Sequence, residues 1–206
     1  MKKNLGILVF NDVEILDFAG PYEVFSSTRL TSQVLNKNNL LNIYKRNSPL
    51  NIFTISLKKK IITYGGLKVI SDYSLSNSPK LDILLIPGGI GTRILLKNKR
   101  IISWINSKKN LDFIISVCTG SLLLAKAGLL KNRRATTHWG ATEFLKKISP
   151  TTHVIKKRYV ASDNIYTSSG VSSGIDLSLY IVEKLYGEKI AKNTAKYMEY
   201  KLLKKK

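Results

Sequence analysis

The chain carries a single cysteine, Cys118, and its flanks read as a setting for nucleophilic chemistry. It follows the apolar run Phe113-Ile114-Ile115-Ser116-Val117 and precedes Thr119-Gly120-Ser121-Leu122. A buried strand that runs straight into a helix forces a sharp turn, which holds the turning side chain over the sheet edge as in a nucleophile elbow. Gly120 gives room for the close approach. A helix N-terminus behind the thiol favours negative charge, so a lowered thiol pKa is expected. The competing structural reading is a small buried cysteine that only packs.

Other residues could serve that thiol. Pro87-Gly88-Gly89-Ile90-Gly91-Thr92 also follows an apolar run, and glycine-rich backbone there can turn N–H groups toward an oxyanion, although Gly-Gly is also ordinary turn chemistry. Gly88, Gly89 and Thr119 are the candidate backbone donors. Asp17 sits between Leu16 and Phe18, where a carboxylate is costly to bury without a partner. It reads either as an acid/base partner for the thiol or as the N-cap of a helix beginning near Gly20-Pro21. Glu23 is the competing carboxylate. Thr119 could link the thiol to a carboxylate or cap the helix. His138, beside Trp139, reads as a packed, hydrogen-bonded histidine rather than a thiol activator. With one cysteine, and His153 on a polar stretch, no metal site is expected.

The elements that must position these residues follow from periodicity. Apolar runs at Leu5–Phe10, Ile52–Leu57, Asp82–Ile86 and Phe113–Val117 read as strands buried on both faces. Helical patterns lie at Gly20–Arg29, Ile101–Lys108, Gly120–Ala127, Ala141–Lys147, Ser172 to about Tyr186, and Lys189–Leu203. Strands alternating with helices imply a mostly parallel sheet covered on both faces, with ligands at the carboxyl ends of its strands. Thr31–Asn51, rich in Asn and Lys, reads as a surface excursion.

Composition narrows the classes. The 206 residues suit one domain spanning 1–206, and 44% hydrophobic residues suffice for a core. Basic residues number 34 and acidic ones 13, a formal charge of +21 that invites a nucleic-acid reading. Against it, the basic clusters are scattered, as at Lys58–Lys60, Lys156–Arg158 and Lys204–Lys206, and no nucleic-acid motif is present. No signal peptide or membrane span is legible, so a cytoplasmic location is expected.

Together these segments resemble the ThiJ/PfpI superfamily, whose domain is class I glutamine-amidotransferase-like. The resemblance rests on Leu16-Asp17-Phe18-Ala19-Gly20-Pro21-Tyr22-Glu23-Val24, Ile86–Arg93, Ser116–Ser121, Ala127-Gly128-Leu129-Leu130, Arg134–Trp139 and Ser169–Asp176, in that order. It implies a flavodoxin-like three-layer α/β/α sandwich. Among its branches the chain is most similar to the isonitrile hydratases, related in turn to the amidase-like domains of AraC-type regulators. That likeness implies a catalytic trio of Asp17, Cys118 and Thr119, and no organic cofactor. It also implies a small-molecule substrate and a homodimer. Tyr22, Ile90, His138, Trp139 and Val171 are candidate pocket residues. The peptidase branch has His directly after the cysteine, where this chain has Thr119. The glyoxalase and deglycase branch places a Glu at the thiol, where this chain offers Asp17. An isonitrile hydratase-like hydro-lyase is the expected function. The alternatives are another cysteine hydrolase, such as an amidase or peptidase, and a thiol sensor that is not an enzyme.

Overall fold

The apolar runs become the middle of one twisted sheet because they leave no polar side chain to face water. The computed structural model describes residues 2–30 and 48–202. Strands β1 (Lys3–Leu8), β2 (Leu50–Ser56), β6 (Ile83–Ile86) and β7 (Phe113–Val117) are the four expected from the sequence. Short strands add to them: β3 (Lys60–Ile62), β4 (Lys68–Ile70), β5 (Tyr73–Ser74), β8 (Arg134–Ala135), β9 (His153–Val154), β10 (Tyr159–Ser162) and β11 (Ile165–Ser168). The main sheet has the order β10-β11-β7-β6-β1-β2-β5, parallel throughout except for the β10–β11 pair.

Helices cover both faces. On one lie α1 (Ile15–Ser27), α6 (Ser173–Tyr186) and α7 (Glu188–Tyr197), packed together. On the other lie α2 (Thr92–Leu95), α3 (Lys99–Ser107), α4 (Gly120–Lys126) and α5 (Thr142–Ile148). Leu5, Ile7, Leu84, Ile114 and Leu123 are fully buried between the layers. This is the expected three-layer α/β/α sandwich. Among the described residues no helix is long and apolar enough to cross a membrane.

Three expectations change. Helix α1 begins at Ile15, not near Gly20, and carries Pro21 in its interior. Proline there has no N–H for the Asp17 carbonyl one turn back, a recognised helix-breaking defect. Burial of Phe18, Val24 and Phe25 against the sheet outweighs it. Strands β10 and β11 went unseen because Tyr159–Ser162 and Ile165–Ser168 mix hydroxyls with apolar residues. Most of the Thr31–Asn51 excursion lies outside the described residues, while Leu50 and Asn51 open β2.

Candidate active site

Cys118 stands at the end of β7 in a left-handed backbone conformation, φ 56°. A non-glycine residue in this region is strained by about 1–3 kcal/mol unless its surroundings hold it there. They do so at both ends. The Cys118 N–H donates to the Ser168 carbonyl at 3.0 Å. Its carbonyl accepts from Ser121 Oγ at 3.0 Å and Thr137 Oγ1 at 3.1 Å. The unforeseen β11 thus clamps the elbow. Cys118 is 6% exposed.

Asp17 enters from α1 on the far side of the loop that follows β6. It is not the helix cap: Glu14 holds that position and Asp17 lies within the first turn, with no exposure to solvent. The loop and helix lock reciprocally. The Gly88 N–H donates to Asp17 Oδ2 at 2.9 Å, and the Glu14 N–H donates to the Gly88 carbonyl at 3.0 Å. A Cβ on Gly88 would stand 2.6 Å from the Thr119 nitrogen and 2.8 Å from Asp17 Oδ2, so only glycine lets these three segments converge. Asp17 Oδ1 is buried and makes no hydrogen bond.

Enclosure decides the electrostatics. Burial raises the Asp17 carboxyl to about 7, with the Glu14 charge adding to the rise and the Gly88 bond opposing it. Burial likewise pushes the Cys118 thiol up to about 12, reinforced by the Asp17 charge and opposed by the amide and hydroxyl of Thr119. The expected lowering of the thiol pKa is therefore reversed. Helix α4 has only seven residues, and its dipole does not match the cost of charging sulfur in a closed site. The resting pair is a neutral thiol beside a carboxyl poised near neutrality.

The glycine loop also differs from expectation. The Gly88 N–H is committed to Asp17, and the Gly89 N–H donates to Thr119 Oγ1 at 3.0 Å. Of the three proposed backbone donors, the Thr119 amide is the one turned to the sulfur. Glu23 is no rival carboxylate: it is exposed and its Oε1 accepts from Ser27 Oγ at 2.5 Å. Two residues at the site escaped the sequence reading. Glu14 acts on Asp17 through its charge. Thr92, fully buried at the start of α2, donates to the Gly89 carbonyl at 2.8 Å and reaches Thr119 Oγ1 at 3.3 Å. The spacing Gly89-x-x-Thr92 was the signal available for the second.

The candidate pocket residues are scattered. Tyr22 and Ile90 are surface side chains, 41% and 53% exposed. Val171 is half-buried in the turn before α6. His138 is hydrogen-bonded but only half-buried: its Nδ1 accepts from the Gly140 N–H at 3.2 Å, and its ring centre lies 5.2 Å from that of Trp139, which is 83% exposed. An open groove of about 580 Å³ runs beside this turn, lined by Thr136, Thr137, Trp139, Lys156, Lys157 and Gly170. Thr137 joins the groove to the elbow through its bond to the Cys118 carbonyl.

Comparison with known proteins gives a consistent answer. The DJ-1/PfpI family model matches residues 3–184. The isonitrile hydratase of Pseudomonas putida is 31% identical over 201 residues, covering 97% of this chain and 79% of that protein. The transcriptional regulator GbdR of Pseudomonas aeruginosa is 24% identical over 67% of this chain, which spans only 38% of that regulator. A ThiJ/PfpI family protein from Pseudomonas syringae superposes with a TM-score of 0.84 at 24% identity, covering 99% of this chain and 77% of that one. The fold of an AraC family regulator from Pseudomonas putida matches at 0.77, with 18% identity over 95% of this chain and 99% of that one. With a family match over residues 3–184 and the fold of a ThiJ/PfpI family protein, the chain belongs to the DJ-1/PfpI family.

Proposed function

We propose that the protein is an isonitrile hydratase, adding water to an isonitrile to give an N-substituted formamide. The observation that carries the reading is the buried Asp17 carboxyl beside the Cys118 thiol, with Oδ1 unbonded and a pKa near 7. A base is most useful when its pKa lies near the working pH. Ionised Asp17 takes the thiol proton as sulfur attacks the terminal carbon of R–NC, and returns that proton to the same carbon. The product is a thioimidate, R–N=CH–S–Cys118. Asp17 then takes a proton from water as the water oxygen attacks this carbon, and passes it to the imine nitrogen. Collapse of R–NH–CH(OH)–S–Cys118 expels the thiolate, which takes the hydroxyl proton, and R–NH–CHO leaves. The Thr119 amide and hydroxyl support the sulfur while it carries charge.

The alternatives fare less well on specific grounds. A peroxide-sensing thiol is normally a low-pKa thiolate, whereas burial raises this one. A Cys–His hydrolase needs an imidazole at the thiol, whereas the His138 ring is engaged with Gly140 and Trp139. The likeness to the hydratase of Pseudomonas putida supports the same reaction here.

The test is formamide formation from a simple alkyl isonitrile, followed by chromatography. Wild type should turn it over, and Cys118→Ala should lower the rate by about a thousandfold or more, as loss of a covalent nucleophile does. Turnover that persists in Cys118→Ala would sink the covalent mechanism. Absence of formamide from the wild type would sink the assignment.

A further inference from the structure

The groove beside the His138–Trp139 turn lies outside the reacting pair. In the sheet β7 runs between β6 and β11, and Asp17 meets the site from the β6 side, through its bond to Gly88. The groove lies on the other side, between Thr137, the 155–158 stretch that joins β9 to β10, and the turn at Ser169 and Gly170. Its lining combines apolar and cationic groups. Val154 and Ile155 are half-buried, Trp139 is exposed, and Lys156, Lys157 and Arg158 form an unbroken basic run. Charge pairing leaves two of these cations unmatched. Arg158 is held by Asp176 through Nε and donates to Ser172 Oγ at 3.2 Å. The lining carboxylate of Glu143 is paired with Lys146 at 2.9 Å. Among the described residues no ion pair engages Lys156 or Lys157. Two lining hydroxyls are engaged internally: Thr136 Oγ1 donates to the Lys157 carbonyl at 3.1 Å, and Thr137 Oγ1 to the Cys118 carbonyl at 3.1 Å.

We infer that this groove is a second binding site, separate from the sulfur, for a small carboxylate with an aromatic body. The carboxylate faces the ammonium groups of Lys156 and Lys157, and the body lies against Trp139, Val154 and Ile155. The volume of about 580 Å³ suits a small molecule. Indole supplies a large apolar face for such a body. Lysine supplies a point charge on a flexible stem, whereas the planar fork best matched to a phosphate belongs to Arg158 and is taken up by Asp176. A single carboxylate is therefore the better match to what is left free. The site abuts the elbow. Thr137 both lines the groove and holds the Cys118 carbonyl, and Ser168, whose carbonyl accepts the Cys118 N–H, directly precedes the lining residue Ser169. An occupant would thus bear on the clamp of the nucleophile and not on the nucleophile itself.

The test is binding of phenylbutyrate, read by calorimetry at low salt and by tryptophan fluorescence, with phenylbutanol and inorganic phosphate as comparison probes. The carboxylate should bind about tenfold tighter than the alcohol, since two exposed cations contribute a few-fold each. That advantage should shrink in about 0.5 M salt, which screens exposed charges. Lys156→Gln combined with Lys157→Gln, both at exposed positions, should remove it. Trp139→Ala should weaken both organic probes about five- to tenfold, the worth of an aromatic contact. Trp139→Phe keeps an aromatic face, so binding should survive in the calorimeter while the fluorescence response disappears. The other tryptophan, Trp104, is tied to the Leu75 carbonyl and does not line the groove. Cys118→Ala should bind phenylbutyrate like wild type. Equal affinity for the carboxylate and the alcohol overturns the inference, as does phosphate binding as tightly as the carboxylate. An unchanged affinity in the double lysine variant overturns it too, and loss of binding in Cys118→Ala would place the carboxylate at the sulfur instead. Absence of wild-type binding up to about 10 mM, weaker than any specific small-molecule site, overturns it outright. None of these outcomes depends on isonitrile turnover, so the hydratase reading stands or falls separately.

Discussion

Replacing Asp17 by Asn should nearly abolish isonitrile hydration, yet make the protein more stable and its thiol more reactive at pH 8. All three results follow from one buried carboxyl. Asparagine keeps an oxygen for the Gly88 N–H but cannot take the thiol proton, and loss of a general base costs about 10²–10⁴-fold in rate. The wild-type rate should rise with pH through about 7 as Asp17 ionises, and that limb should vanish in the variant. The thiol should alkylate faster near neutrality, because the Asp17 charge that holds its pKa up is gone.

The stability effect has a definite sign. Folding raises the Asp17 pKa from 3.8 to about 7, so between those values the folded protein holds a proton that the unfolded chain has lost. Stability is full below the unfolded value and falls as pH rises through that window. A shift of this size corresponds to something on the order of 4 kcal/mol above pH 7. Neutral asparagine is exempt. The melting temperature of Asp17→Asn should thus exceed that of wild type at pH 8 by about 8–16 °C, and the gap should close toward pH 4. A gap independent of pH would show that the carboxyl is not forced into burial, and the base assignment would lose its support. This is the exchange of stability for activity expected where a charge must ionise inside a closed site.

Gly120→Ala should unfold the elbow without touching any reacting atom. A Cβ at this position would lie 2.1 Å from the Ile86 carbonyl oxygen and 2.9 Å from that of Pro87. Both are backbone atoms at the end of β6, and Ile86 is in register with Ser116 on β7. They cannot retreat without prising the two central strands apart. The cost should exceed about 4 kcal/mol, a melting-temperature drop of about 10 °C or more, or no soluble protein. Gly140→Ala is the natural control, since its Cβ would meet only the His138 ring at 3.4 and 3.6 Å. Calorimetry of the two variants decides the matter. A Gly120→Ala protein that melts within a few degrees of wild type would show that the strand ends are looser than described.

Much of this arrangement was legible in order along the chain. Each central strand is a nearly unbroken apolar run, which suits only a strand covered on both faces. The turns after those runs therefore had to fall on one edge of the sheet, and Gly88, Gly89, Cys118 and Thr119 with them. The segment carrying Asp17 was legible as a motif but not as an element, since Pro21 masked a helix that packing sustains. Strands β10 and β11 escaped because four positions that mix hydroxyl and apolar residues without alternation carry no strand period.

What the sequence by itself determined was which residues meet. Periodicity places the strand ends together, and a single cysteine leaves no ambiguity about the nucleophile. Only the tertiary structure decided how those residues behave. Desolvation depends on how completely other segments close over a group, and here it reverses the thiol pKa expected from a helix N-terminus. Donor assignments are equally non-local. The Gly88 and Gly89 amides were free candidates along the chain, and are engaged because Asp17, 71 residues away from Gly88, and Thr119, 30 away from Gly89, arrive beside them. Local pattern sets the direction in which a side chain leaves the backbone, whereas its charge state is set by everything that shuts water out around it.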